Sequence, residues 1–278
     1  MIQLTTIEEL HSWRSSLKGI ALIPTMGNLH EGHLTLIKEA RNKASHVIVS
    51  IFVNPTQFGE NEDFNTYPRT LLEDIRKASQ IGADAIFSPA VKEIYPHGEQ
   101  TIWVNPGNIS TQYCGKTRPI HFRGVATIVV KLLNIIQPEW AFFGKKDFQQ
   151  LVIIKQIVEQ LNFRTSIIGI DTKRDNNSGL ALSSRNQYLS QKQKEQAPQL
   201  YQALLEIKDH ILSGNKNFND LCQKAIKKLS HNGWRVDYIE VANQHDLRRA
   251  TYKDNDLVVL GAAKLGTTRL IDNIDFIL

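Results

Sequence analysis

This sequence holds only two cysteines in 278 residues, Cys114 and Cys222. They stand far apart, with neither metal-ligand nor redox spacing, which excludes a disulfide framework and a cysteine-based metal ribbon. Two reduced thiols in a cytosolic protein are the expectation. No apolar run approaches the ~18 residues of a membrane span, and no charged-then-apolar leader opens the chain. A soluble, cytoplasmic protein with no membrane partner is therefore expected. Internal repeats and low-complexity tracts are also lacking, so solenoids and disordered arrays drop out. Neither sign of charge dominates: 33 Lys and Arg face 28 Asp and Glu, for a net charge of +5. That balance suits anionic ligands, but it is too dispersed to be a nucleic-acid footprint, and no nucleic-acid partner is expected. Lys224, Lys227 and Lys228 fall at helical spacing and read as a solvated helix face. What remains is ordinary globular material, long enough to bury one large core or two modest ones.

The densest chemistry lies in Pro24-Thr25-Met26-Gly27-Asn28-Leu29-His30-Glu31-Gly32-His33, directly after the apolar run at 20–23. An apolar run, a glycine-bearing turn and an amphipathic segment read as strand, loop and helix. Such a helix start offers unpaired backbone N–H groups and the positive end of the helix dipole, a setting for phosphate. Gly27 and Gly32 let backbone approach a ligand, and His30 and His33, three residues apart, point the same way. The pair can donate hydrogen bonds to a phosphate as its charge grows in a transition state. A zinc site is the competing reading, but zinc helices space their histidines i, i+4 and need a third ligand.

Up to about residue 170, strand and helix patterns alternate. Strands are expected at 20–23, 47–53, 85–87, 140–143 and 166–170, and helices at 33–44, 70–80, 124–136 and 147–161. The alternation predicts a Rossmann-like, doubly wound parallel α/β sheet, with ligands at the carboxyl ends of its strands. His30, Asn54, Gln57 and 144–147 all follow such ends. The polar stretch 173–179 reads as the loop between two domains, giving a first domain at 1–175 and a smaller α+β domain at 176–278. The second is expected to hold helices at 191–212 and 218–230 and strands at 235–241, 257–260 and 269–274.

Four further segments accompany the histidine loop, in order: Phe52-Val53-Asn54-Pro55-Thr56-Gln57-Phe58, Arg118-Pro119-Ile120-His121-Phe122-Arg123-Gly124-Val125, Phe143-Gly144-Lys145-Lys146-Asp147-Phe148-Gln149-Gln150 and Leu182-Ser183-Ser184-Arg185-Asn186. The loop resembles the His-x-Gly-His signature of the nucleotidylyltransferase superfamily. The five segments together, spread over the whole chain, resemble the pantoate–β-alanine ligase family. The resemblance implies ATP-dependent joining of (R)-pantoate to β-alanine through pantoyl adenylate, with release of pyrophosphate and AMP. It implies an ATP site over Met26, Gly27, Asn28, Leu29, His30, Glu31, Gly32, His33, Gly144, Lys145, Lys146, Asp147, Leu182, Ser183, Ser184 and Arg185. Within it His30 and His33 hold phosphates, with His33 as general acid, Lys146 and Arg185 supply fixed positive charge, and Gly144 and Asp147 face the ribose. Gln57 and Gln150 match the glutamines that bind pantoate, Met26 lines its pocket, Asn54 is a further polar wall, and Arg118 lies near the substrate carboxylates. Where tRNA synthetases carry a Lys-Met-Ser-Lys-Ser loop this chain reads Ala181-Leu182-Ser183-Ser184-Arg185, with arginine as the cation.

The family resemblance also implies a homodimer, and ATP brings Mg²⁺, for which Glu73 and Asp74 are candidate ligands beside the alternative of an acidic, solvent-facing helix turn. The second domain is expected to act as a lid, hinged at the polar loop. A nucleotidylyltransferase that stops after nucleotide transfer leaves Gln57 and Gln150 unexplained. An RNA-binding reading needs a large basic face that the mixed charge after residue 180 does not offer, and a non-catalytic reading sits badly with every motif residue being present.

Overall fold

The computed structural model describes every residue except Asn61 and Glu99. Its first sheet holds six parallel strands, β1 (Ile2–Leu4), β2 (Ile20–Thr25), β3 (His46–Ile51), β4 (Ala85–Phe87), β5 (Trp140–Gly144) and β6 (Ser166–Ile170), in the order β1-β4-β3-β2-β5-β6. The inner strands are apolar runs with no alternation because both faces are buried. Around them lie α1 (Ile7–Arg14), α2 (Glu31–Lys43), α3 (Leu71–Ile81), α4 (Val91–Ile94), α5 (Cys114–Thr117), α6 (His121–Ile136) and α7 (Phe148–Gln160). On one face Ala21, Ile23, Val47, Val49, Ile86 and Phe142 pack against Leu36, Ile37 and Ala40 of α2 and Ala78 of α3. Truncating a side chain such as Ile37 to alanine there costs ~2–5 kcal/mol.

This is the doubly wound sheet expected. β1, α4 and α5 were not read from the sequence, since three- and four-residue elements carry no period and Ile2 at the sheet edge is exposed; nor was the eight-residue α1, which buries Leu10 alone. The strand expected at 47–53 ends at Ile51, and the helix expected from 124 starts one turn earlier, at His121.

The chain runs from β2 outward through β3 to β4, then returns to place β5 on the other side of β2. This reversal is the topological switch point at which such sheets bind ligands. The β2–β5 ladder covers only Ala21 and Leu22. Beyond it β2 stays with β3 as far as Thr25, and β5 stays with β6 as far as Gly144. The sheet therefore opens between the carboxyl ends of β2 and β5. At the other end Glu139 ties the strands together, its carboxylate accepting from the N–H groups of Gly19 (2.8 Å) and Ile20 (2.7 Å).

The chain divides into two compact units, Met1–Gly144 with Ile153–Asp171, and Lys145–Val152 with Thr172–Leu278. The division falls four residues before the boundary read from the sequence, and it also passes through α7. The second unit holds α8 (Gln191–Gln196), α9 (Gln199–Leu212), α10 (Phe218–His231) and the antiparallel strands β7 (Arg235–Asn243), β8 (Asp256–Leu265) and β9 (Thr268–Ile277). One helix was expected over 191–212. Pro198 divides it, because proline has no N–H to bond the carbonyl of residue 194 and instead opens a new helix. Leu200, Leu204, Ile207 and Ile211 of α9 recur at helical spacing and join the core with Leu221 and Leu229 of α10 and Val259 of β8. The close crossing needs Gly261, where a Cβ would stand 3.0 Å from Leu204 Cδ2.

The stretch at 173–179 is not an open linker. It forms the first limb of a turn closed by Leu182 N–H to Lys173 O (3.0 Å), Asp175 N–H to Leu180 O (2.9 Å) and Gly179 N–H to Asp175 O (2.9 Å). The Asp175 carboxylate accepts from the N–H groups of Asn177 and Ser178 and from the Ser178 hydroxyl. Arg174 forks onto buried Asp272 at 2.8 Å through both Nη atoms and lies over the Tyr201 ring. The polar composition that reads as flexible serves the turn's own backbone. No helix among the described residues is long and apolar enough to cross a membrane.

Candidate active site

The loop after β2 begins with Thr25, whose hydroxyl donates to Ser50 O (2.8 Å) and accepts from Gly27 N–H (3.1 Å). Gly27 (φ 84°) and Asn28 (φ 52°) are both left-handed. A Cβ on Gly27 would press on Asp74 Oδ2 at 3.0 Å, so only glycine turns here without strain. Asp74, fully buried on α3, accepts from the N–H groups of Asn28 (2.9 Å) and Leu29 (2.7 Å) and from the Thr70 hydroxyl (3.1 Å). Lys77, one turn on, donates to Leu29 O (2.9 Å).

His30 is the N-cap of α2: its Nδ1 accepts from Gly32 N–H (3.2 Å), while His33 Nδ1 accepts from His30 N–H (3.3 Å). A backbone N–H can only donate, so each Nδ1 presents a lone pair and each ring proton sits on Nε2. The rings lie 4.1 Å apart between centroids. Two imidazoles are thereby fixed in one tautomer, each with an Nε2–H donor.

This corrects the expected source of the phosphate donors. The N–H groups of Asn28 and Leu29 are used by Asp74, those of His30 and Gly32 by the two rings, and that of His33 by His30 O (2.8 Å). The Leu29 side chain lies in the core, and Glu31 is exposed in the first turn of α2. The loop spends the N–H groups of Gly27, Asn28, Leu29, His30, Gly32 and His33 on holding its own shape.

The second constellation follows β3. Asn54 caps the short 3₁₀ turn Pro55–Gln57 and is 1% exposed. Its Oδ1 accepts from Thr56 N–H (3.4 Å) and Tyr95 Oη (2.7 Å), and its Nδ2 donates to Gly124 O (3.3 Å) and Gln57 Oε1 (3.1 Å). Asn54 is thus consumed by protein partners, not presented as a polar wall. Gln57 Nε2 lies 3.2 Å from Met26 Sδ, which brings the expected pocket residues of two strand ends together. His121 Nδ1 meets Gln57 O at 3.1 Å, and a Cβ on Gly124 would fall 2.6 Å from Gln57 Cα, so α6 seats directly on this turn. Burial raises the Tyr95 phenol above its ordinary pKa, partly opposed by its hydrogen bond with Thr56. Arg118 is occupied too: it grips Glu62 bidentately, at 2.6 Å on both sides.

The other expected residues beyond Gly144 belong to the second unit. The adjacent lysines divide their roles. Lys145 pairs with Asp275 (2.8 Å), whereas the Lys146 ammonium lies 3.9 Å from the Asp147 carboxylate. Asn273, buried on β9, donates through Nδ2 to both Lys145 O (2.9 Å) and Lys146 O (2.8 Å). Phe148 and Gln149 are buried, Gln150 is half-buried and Asp147 exposed. Ser183 Oγ accepts from Arg185 N–H (3.3 Å) and so caps the 3₁₀ turn Ser184–Tyr188, with Leu182 half-buried before it. Asp74, Tyr95, His121, Arg174, Asp272 and Asn273 carried no assigned supporting role in the sequence reading, because each acts on a residue remote in the chain.

Glu73 and Asp74 do not fit a magnesium ion. Both Asp74 oxygens serve the histidine loop, and Glu73 pairs with Arg76 (2.7 Å) and Lys77 (3.7 Å). The described residues contain no group of three His, Cys, Asp or Glu able to hold a metal. An open depression of about 500 Å³ among Lys155, Glu159, Phe163 and Ser166 lies at the amino end of β6, away from the strand ends that carry these residues.

A parallel sheet of this order, with a two-histidine loop at its switch point, defines a nucleotide-using enzyme of the α/β class. Sequence comparison narrows the class. The family model for pantoate-beta-alanine ligase matches residues 2–275. The pantothenate synthetase of Neisseria meningitidis is 50% identical over 270 residues, 97% of each chain. That of Methylobacillus flagellatus is 50% identical over 276 residues, covering 98% of this chain and 99% of its own. Among solved structures, the Thermus thermophilus pantothenate synthetase superposes with a TM-score of 0.91 at 37% identity, covering 99% of both chains. A Francisella tularensis pantoate-beta-alanine ligase, complexed with beta-gamma ATP and beta-alanine, gives 0.77 at 37% identity, covering 99% of this chain and 97% of that one. The chain belongs to the pantoate-beta-alanine ligase family, whose members are ATP-dependent ligases.

Proposed function

We propose that this chain condenses (R)-pantoate with β-alanine in two steps. A pantoate carboxylate oxygen attacks the α-phosphorus of ATP, and the bond to pyrophosphate breaks to leave pantoyl adenylate. The β-alanine amine then attacks the acyl carbon, loses a proton and expels AMP. The observation that carries this reading is the histidine pair, locked with both Nε2–H groups as donors, since in-line displacement at phosphorus asks the protein mainly for alignment and charge stabilisation.

In this reading His30 and His33 bind the phosphates, and His33 donates a hydrogen bond from Nε2–H to the departing oxygen as its charge grows. Lys146 and Arg185 supply positive charge, Ser183 and Ser184 hydroxyl groups, and Gly144 and Asp147 contact the ribose. Gln57 and Gln150 bind pantoate beside Met26, while Asn54 and Arg118 hold protein segments in place. ATP enters as its magnesium complex, and the ion would neutralise charge on the phosphates. The family resemblance supports a cytoplasmic homodimer, which sedimentation equilibrium checks.

The test is AMP release from ATP by purified protein with pantoate and β-alanine, added singly and together. Fast AMP release with both acids, and pyrophosphate exchange with pantoate alone, is the expected result. No exchange with pantoate, but turnover with another acid, overturns the pantoate assignment and leaves the phosphate chemistry standing.

A further inference from the structure

An amide side chain offers a donor at one end and an acceptor at the other, so the orientation of Gln57 decides what it can bind. That orientation follows from backbone groups, whose roles are fixed. The Thr56 N–H must donate, so the Asn54 atom it meets is Oδ1, and Gly124 O must accept, so the atom it meets is Nδ2. Tyr95 Oη, at 2.7 Å, and the Thr56 hydroxyl, at 2.9 Å, donate to the same Oδ1 and strengthen that choice. Asn54 Nδ2 then faces Gln57 at 3.1 Å, and the atom receiving it must be Oε1. Gln57 is left with its NH₂ directed to the Met26 side, against a thioether that is a weak acceptor at 3.2 Å. Tyr95, Asn54 and Gln57 are 3%, 1% and 7% exposed, so water does not compete for this chain of bonds.

We propose that Tyr95 is a positioning residue which, together with Thr56 and through Asn54, holds the Gln57 amide so that its NH₂, and not its carbonyl, is offered to an oxygen of the acid substrate. This rests on the acid-binding role of Gln57 proposed above. A substrate oxygen replaces the weak sulfur acceptor, so binding gains a better hydrogen bond without any rearrangement of the protein. Tyr95 caps the carboxyl end of the four-residue helix α4, far in sequence from the turn that it supports.

Steady-state kinetics of Tyr95→Phe, Gln57→Ala and the double variant test the proposal, together with the side-chain amide NMR signals of Gln57 in ¹⁵N-labelled wild type and Tyr95→Phe. Losing one neutral hydrogen bond corresponds to roughly fivefold. The expected result is a rise of about that size in KM for pantoate with KM for ATP and kcat unchanged, no further rise when Tyr95→Phe is added to Gln57→Ala, and a shifted Gln57 amide signal. A parallel rise in KM for ATP, additive effects in the double variant, or an unmoved Gln57 signal overturns it. Gln57→Glu adds a check on polarity, since a carboxylate in place of the donor should weaken pantoate binding more than alanine does. Failure of the wild type to use pantoate removes the functional reading alone, because the amide signal reports on the Tyr95–Asn54–Gln57 chain without substrate.

Discussion

Two loops that leave parallel strands in this molecule are held in opposite electrical senses. The histidine loop after β2 turns its backbone N–H groups inward, and a buried carboxylate, Asp74, gathers two of them. The lysine loop after β5 turns two carbonyls toward β9, and a buried neutral amide, Asn273, bonds both. The difference follows from what each loop presents. Histidines that work as neutral donors tolerate a nearby negative charge, and a carboxylate satisfies two N–H groups at once. An NH₂ group holds the two carbonyls without adding a second carboxylate beside Lys146, whose ammonium already has the exposed Asp147 carboxylate 3.9 Å away. Lys145, which Asp275 does neutralise, shows the alternative on the adjacent residue.

The largest break in this comparison is removal of a donor itself. His33→Ala is expected to lower kcat by about 10²-fold or more, as loss of a transition-state donor does, with the fold intact by circular dichroism. Near-normal turnover would remove His33 from the mechanism. Next comes the buried carboxylate. Asp74→Ala strands two N–H groups, at ~1–3 kcal/mol each, and should lower the urea midpoint and the activity together. Asp74→Asn, with one acceptor for two donors, should fall between it and wild type.

A smaller effect is expected on β9. Asn273→Ala removes donors from two carbonyls, a loss of ~1 kcal/mol per bond, and should raise KM for ATP more than it lowers stability. Asn273→Asp sharpens the contrast, because a carboxylate beside two carbonyls and near Lys146 should be worse than alanine. If the aspartate variant were the better of the two, the electrical contrast between the loops would fall.

A further effect, confined to alkaline pH, lies away from both loops. Burial, followed by the nearby Glu240 carboxylate, pushes the Cys222 thiol up to about 12. The folded protein then keeps a proton that the unfolded chain gives up near pH ~8.5, so stability should decline from there toward pH 12. Urea midpoints at pH 8 and pH 10.5 measure the decline, which Cys222→Ala should reduce.

Strand and helix alternation was legible because burial on both faces leaves apolar runs, and α6 and α10 carry their period openly. Pro198 was present in the sequence, yet the apolar spacing on either side of it concealed the break that its missing N–H imposes. The polar stretch at 173–179 looked like an open loop because composition does not reveal whether polar groups bond solvent or one another. Asp74 resembled a solvent-facing acid for the same reason: its partners lie 45 and 46 residues away.

The sequence by itself determined the family, the sheet class and the residue types at the strand ends, since these depend on local pattern and on motifs that stand in one continuous order. Tertiary structure decided which atoms those residues have left to offer. The two ring tautomers are set locally by capping, but the support of the histidine loop, the Gln57 amide orientation and the support of Lys146 depend on partners remote in sequence. Sheet order and helix packing bring Asp74, Tyr95 and Asn273 to those partners, and no local pattern encodes such a meeting.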